Sequence, residues 1–186
     1  MAVVEKDGLS FYIDKTGKII LSGDFRETVP FYHPQYAVVR IKGATKHSII
    51  NNEGKILSKN MWTNEEIEFR SDLATIEVFN AGLIPCCTGT GTNAIYGYKD
   101  LFGNWAVKQQ YSKASPFTAG LATVTVKGLL KIPNKSSKDL SGIINTKGEY
   151  VLPLEYLVLS DPWYNTPGGE ITIAGEHKDK GFMVLN

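Results

Sequence analysis

Little in this chain of 186 residues points to reactive chemistry. The two cysteines, Cys86 and Cys87, are neighbours. A disulfide between adjacent residues is strained and rare, so the pair reads as two free thiols of a reducing compartment. The three histidines, His33, His47 and His177, lack a second His or a Cys at ligand spacing, which removes the usual ground for a metal site. No Gly-x-Ser-x-Gly, His-Glu-x-x-His, kinase or dinucleotide-binding motif occurs. A surplus of one charge is missing too, since 20 basic and 19 acidic residues leave +1. That balance argues against a nucleic-acid binder and against an electrostatic membrane anchor, both of which carry a basic surplus. No apolar run approaches the roughly eighteen residues needed to span a bilayer, and the first residues lack the basic and apolar regions of a signal peptide. The expectation is a cytoplasmic protein with no metal, no cofactor, and neither a membrane nor a nucleic-acid partner.

What is present is a recurring turn. Asp14-Lys15-Thr16-Gly17, Asn51-Asn52-Glu53-Gly54, Asp100-Leu101-Phe102-Gly103 and Asn145-Thr146-Lys147-Gly148 all read Asx-x-x-Gly, with the glycines 37, 49 and 45 residues apart. An Asx side chain accepts a hydrogen bond from a backbone N–H two residues on, and Gly supplies a left-handed residue. The combination predicts a hairpin whose type I turn is closed by a bulge. The flanks repeat as well. Apolar runs precede and follow each turn, a first aromatic comes next (Phe25, Trp62, Tyr111, Tyr156), then a second (Phe31, Phe69, Phe117, Trp163). Alternating runs close each copy at Tyr36–Val39, Leu73–Ile76, Leu121–Val124 and Ile171–Ile173. Alternation of β-branched and aromatic residues between turn formers reads as strands. Periods of this size mean supersecondary units that bury their apolar faces on one another, with the aromatics as packing studs.

Tyr96 to Val126 and Ser141 to Leu152, including Pro116-Phe117 and Gly120-Leu121-Ala122, resemble the bacterial WG (KWG) β-repeat family. The family's Trp-Gly pair is replaced by Ser10-Phe11, His47-Ser48, Tyr96-Gly97, Ser141-Gly142 and Lys180-Gly181. The fold expected is all-β: tandem three-stranded antiparallel meanders, as an open array or propeller-like. One repeat domain spans 1–186, with units at about 2–21, 36–57, 73–107, 121–152 and 171–186, the last stopping after its second strand.

Three stretches exceed what the repeat needs, 80–93, 127–139 and 160–170, and read as loops, where function sits on a regular scaffold. Thr88-Gly89-Thr90-Gly91-Thr92 lacks the Lys-Ser/Thr ending and following helix of a phosphate-binding loop and reads as flexible chain. The turn Asx residues are a backbone requirement, so no catalytic residue is assigned. Apolar and aromatic residues outside the pattern are the kind that anchor partners, which selects Ile84, Leu129, Leu130 and Tyr164. The function expected is non-enzymatic recognition of a protein partner, which the family resemblance also implies. The alternatives are a carbohydrate-binding or carbohydrate-processing domain, or a cognate inhibitor such as an immunity protein.

Overall fold

The computed structural model describes residues 2–28, 35–62, 81–134, 136–164 and 171–185. Among them lie seventeen strands and one 3-10 turn, Gly91–Asn93. Four meanders run β1 (Ala2–Lys6), β2 (Leu9–Ile13), β3 (Ile19–Ser22); β5 (Tyr36–Ile41), β6 (His47–Asn51), β7 (Ile56–Trp62); β8 (Leu83–Thr88), β9 (Ile95–Asp100), β10 (Trp105–Tyr111); and β12 (Leu121–Leu130), β13 (Lys138–Asn145), β14 (Tyr150–Leu159). A fifth contributes β16 (Ile171–His177) and β17 (Gly181–Leu185), and short strands β4 (Phe25–Thr28), β11 (Lys113–Ala114) and β15 (Trp163–Tyr164) precede the second, fourth and fifth. In each full meander a lead strand pairs with a middle strand and the middle strand with a return strand, always antiparallel. The lead–middle register repeats as Val3↔Tyr12, Val38↔Ile49, Pro85↔Tyr98 and Thr123↔Ile143.

The turn chemistry matches its sequence. Asp14 Oδ1 accepts from Thr16 N and Lys18 N, Asn51 Oδ1 from Glu53 N and Lys55 N, and Asn145 Oδ1 from Lys147 N and Glu149 N. Gly17, Gly54, Gly103 and Gly148 have φ of 82°, 82°, 90° and 81°. The register irregularity falls on the return strand, three residues beyond the glycine. Tyr12↔Leu21 is followed by Ile13↔Ile19, Ile49↔Ser58 by Ile50↔Ile56, Tyr98↔Val107 by Lys99↔Trp105, and Ile143↔Leu152 by Ile144↔Tyr150. One extra residue (Ile20, Leu57, Ala106, Val151) is thus inserted at the same place in all four copies, the mark of a β-bulge.

The strands form four sheets, ordered β1-β2-β3, β4-β5-β6-β7, β10-β9-β8 and β11-β12-β13-β14-β16-β15 with β17 on β16. None of these orders closes on itself. The chain divides into two compact units, Met1–Asn80 with Leu101–Asn104, and Ala81–Asp100 with Trp105–Asn186. In the first, Tyr12, Phe25, Ala37, Val39 and Ile50 form one core. In the second, Leu83, Tyr98, Val107, Tyr111, Phe117, Ala122, Val124 and Ile144 form another. The first aromatics Phe25, Trp62, Tyr111 and Tyr156 are all buried, as is Phe117. Phe31, Phe69 and the run Leu73–Ile76 lie outside the described residues, as does the side chain of Trp163.

Two of the expected loops are corrected. Residues 80–93 contain β8, which holds the lead-strand register through Leu83↔Asp100 and Pro85↔Tyr98. Its Pro85 lacks an N–H donor, and β8 lies at a sheet edge where that costs no ladder bond. Residues 127–130 and 138–139 are strand, because β12 runs on to Leu130 and β13 begins at Lys138. Asp139 Oδ1 accepts from Gly128 N across that extension, and Leu130 pairs Lys138.

Candidate partner-binding surface

The middle strands set the reference. Tyr12, Ile49, Tyr98 and Ile143 occupy one position of β2, β6, β9 and β13, and each has 0% of its surface exposed. In the fifth meander the residue after the repeat glycine is Phe182 of β17, and it is 74% exposed. Val184, two residues on and therefore on the same face, is 58% exposed. Among the described residues no return strand lies beside β17, whose pairing is with β16 alone.

Cross-strand pairing carries this open face across the sheet. Val158 of β14 pairs Glu176 of β16, and Glu176 pairs Phe182 of β17. Directly paired residues point to the same side. Val158 is 62% exposed and Glu176 is exposed, so two large apolar side chains flank one carboxylate in a continuous row. Beside the row a shallow cleft of about 470 Å³ is lined by Ser137, Lys138, Asp139, Leu157, Val158 and Glu176. The surface therefore combines exposed apolar side chains with a basic and acidic margin.

The end of β17 that begins this face is held by a compact polar cluster. His177 is buried and lies edge-on to Tyr156, with ring centroids 5.3 Å apart. Its Nδ1 accepts from Asp179 N at 3.1 Å, which leaves Nε2 to carry the proton and donate to Glu155 Oε2 at 3.4 Å. Lys178 Nζ donates to Glu155 Oε1 at 3.3 Å. The hydrogen bonds from His177 and then Lys178 hold the Glu155 carboxyl below the usual glutamate range. The tight turn from β16 into β17 is thus tied to β14.

A second concavity, of about 560 Å³, lies on the same unit and is rich in hydroxyls. Ser115, Thr123, Thr125 and Ser141 line it together with Asp139 and Asp161. Much of its polarity is already spoken for. Thr125 Oγ1 and Ser141 Oγ share a 2.9 Å hydrogen bond, Thr123 Oγ1 donates to Ser160 O, and Ser115 Oγ accepts from Thr123 N. Tyr98, whose hydroxyl donates to Ser115 O at 2.8 Å, has its phenol pKa pushed up by burial.

The four anchors expected from sequence fare differently. Leu129 is half-exposed near the end of β12, and its neighbour Leu130 pairs Lys138, one of the residues lining the cleft. Ile84 is 1% exposed in the third lead strand, a core residue rather than a loop anchor. Tyr164 is in β15, paired with Ile171, and its side chain is outside the description. The residues that sequence reasoning missed are Val158, Phe182 and Val184. Phe182 and Val184 fill positions that the pattern assigns to buried scaffold, and their exposure sets them apart. Cys86 is buried and Cys87 exposed, as alternation along β8 requires, and neither is in a disulfide.

The WG containing repeat model matches residues 11–43, 96–129 and 142–156. These segments cover most of β2 to β5, most of β9 to most of β12, and half of β13 with much of β14. The turn Asn51–Gly54 falls outside them yet has the same hydrogen bonds. Comparison with curated proteins gives no match, and comparison with solved structures gives none either. Among the described residues no helix is long and apolar enough to cross a membrane.

Proposed function

We propose that this chain, which carries WG-containing β-repeats along three segments, is a non-enzymatic recognition module that binds a protein partner. The row Val158–Glu176–Phe182 carries the reading. An apolar residue 62% exposed and another 74% exposed share one face of a rigid sheet, with a carboxylate between them and Lys138 close by. Such anchors inside a charged rim suit a partner surface of about 800 Å² on each side. The site lies on strands, where backbone hydrogen bonds fix the anchors before binding and lower the ordering cost.

The test compares affinity capture from the native host by the wild-type chain and by a Val158→Asp, Phe182→Asp variant. The variant keeps its melting temperature and loses a specific captured protein by well over tenfold. If both chains retain the same proteins equally, the surface is not the binding site.

A carbohydrate ligand is the second reading, favoured by the hydroxyl-lined concavity holding Asp139 and Asp161. Glycan-array binding that is abolished by Asp161→Asn and unaffected by changes at Val158 and Phe182 would select it instead.

A further inference from the structure

We propose that His177 is a pH-operated latch: its neutral ring closes the turn between β16 and β17, and taking up a proton releases that turn.

At three other turns of this chain an Asx side chain accepts the backbone N–H two residues on. Asp14 accepts from Thr16, Asn51 from Glu53 and Asn145 from Lys147. The β16–β17 turn is closed in the same manner by a different group. His177 Nδ1 accepts from Asp179 N, also two residues on, at 3.1 Å. The imidazole nitrogen thus takes the place of the Asx oxygen. The two kinds of acceptor differ on titration. A carboxamide oxygen stays an acceptor at any mild pH, and the Asp14 carboxyl is held below the ordinary aspartate range. Histidine changes charge between about pH 5 and pH 8, and once charged it donates from both nitrogens.

The surroundings fix which nitrogen is affected. The ring is buried edge-on to Tyr156, and His177 pairs Tyr156 of β14 on one side and Gly181 of β17 on the other. Nε2 meets Glu155 Oε2 at 3.4 Å, so Nδ1 is the nitrogen without a proton. Protonation there sets a second N–H against the Asp179 N–H, and a hydrogen bond becomes a repulsion. Glu155 does not undo this. Its carboxylate attracts the imidazolium at the nitrogen that already donates, and its other oxygen accepts from Lys178 Nζ at 3.3 Å. Lys178 repels the added charge. Asp179 and Lys180 are the other charged groups of the turn, Glu176 faces the opposite side of β16, and β17 brings none. Lys178 N donates to Glu155 O at 2.9 Å without involving the ring, so the hairpin stays tied to β14 and the release begins at Asp179. Partner binding through the Val158–Glu176–Phe182 row, which rests on the reading above, inherits this dependence; the turn itself is read without a partner.

The imidazole nitrogen shifts and amide exchange of the wild-type chain are followed by NMR from about pH 7.5 to about pH 5.5. At the upper end His177 shows the Nε2–H tautomer. As the ring titrates, exchange at Asp179, corrected for its intrinsic pH dependence, rises at least about tenfold with the same midpoint. Thr16, Glu53 and Lys147 keep their protection over that range. In His177→Asn an Asx oxygen replaces Nδ1, and the protection of Asp179 becomes flat. An Nδ1–H tautomer at the upper end overturns the proposal, and so does a His177 titration that leaves Asp179 exchange unchanged. A step that persists in His177→Asn assigns the release to another group and overturns it as well. Where that variant does not fold, the two wild-type readings decide.

Discussion

Single glycines carry two separate burdens in this repeat. At Gly17 a Cβ would meet open space, and φ is +82°, so substitution tests backbone conformation alone. A β-branched residue resists the left-handed region, and Gly17→Val is expected to cost about 1–2 kcal/mol in chemical denaturation. Gly142 is different. A Cβ there would lie 2.7 Å from the Leu152 carbonyl oxygen and 3.0 Å from that of Pro153, backbone atoms that cannot step aside. Gly97 meets the Val107 carbonyl in the same way at 2.5 Å. The return strand passes close over the repeat glycine, which explains the preference for Gly at this slot of the third and fourth meanders. Gly142→Val is accordingly expected to cost more than Gly17→Val, at least about 3 kcal/mol. Equal costs would mean that the close approach relaxes without penalty.

Across whole hairpins, the choice between Asp and Asn at the turn sets acid sensitivity. The Asp14 carboxyl is held below the ordinary aspartate range, chiefly by the Thr16 hydroxyl, then by the Thr16 and Lys18 amides. A depressed folded pKa stabilises the fold above the unfolded pKa, and that contribution is lost as pH falls through the folded value. Asn51 and Asn145 make the same amide bonds without titrating. On acid titration followed by amide NMR, Thr16 and Lys18 should shift with a midpoint below the usual aspartate value, while Glu53, Lys55, Lys147 and Glu149 show no step transmitted from residues 51 and 145. In Asp14→Asn the Thr16 and Lys18 step should vanish, and its persistence would assign the titration elsewhere. This turn was legible in sequence because Asx and Gly are chosen by local backbone chemistry. The bulge was not, since Ile20, Leu57, Ala106 and Val151 share no residue type and the inserted position is set by pairing. Nor was β8, where Pro85 and the two cysteines disguised a strand, so that Ile84 passed for a loop anchor when it is core. Leu129 departs from the pattern and is half-exposed near the end of β12. Phe182 was not legible, because its chemistry is that of the residues buried at the same position of β2, β6, β9 and β13.

On the scale of the whole molecule, the described residues include a buried cluster in each compact unit, and stability should divide between them. Tyr12, Phe25, Ala37, Val39 and Ile50 pack together in the first unit, and Tyr98, Phe117, Val124 and Ile144 with their neighbours in the second. No buried residue is common to the two clusters. Phe25 is 6% exposed and Phe117 1%, and Phe117 lies against Tyr98 with ring centroids 4.7 Å apart. Truncating a buried phenylalanine to alanine costs about 3–5 kcal/mol, a large fraction of the stability of a domain. If each unit opens by itself, the loss stays local and appears as faster amide exchange in one unit only. Phe117→Ala is therefore expected to raise exchange in β9, β12 and β13 by two or more orders of magnitude while β2, β5 and β6 keep their protection. Phe25→Ala should do the reverse. A pair of variants that each accelerate exchange throughout the chain would show one cooperative fold, and the two cores would then be parts of a single folding unit.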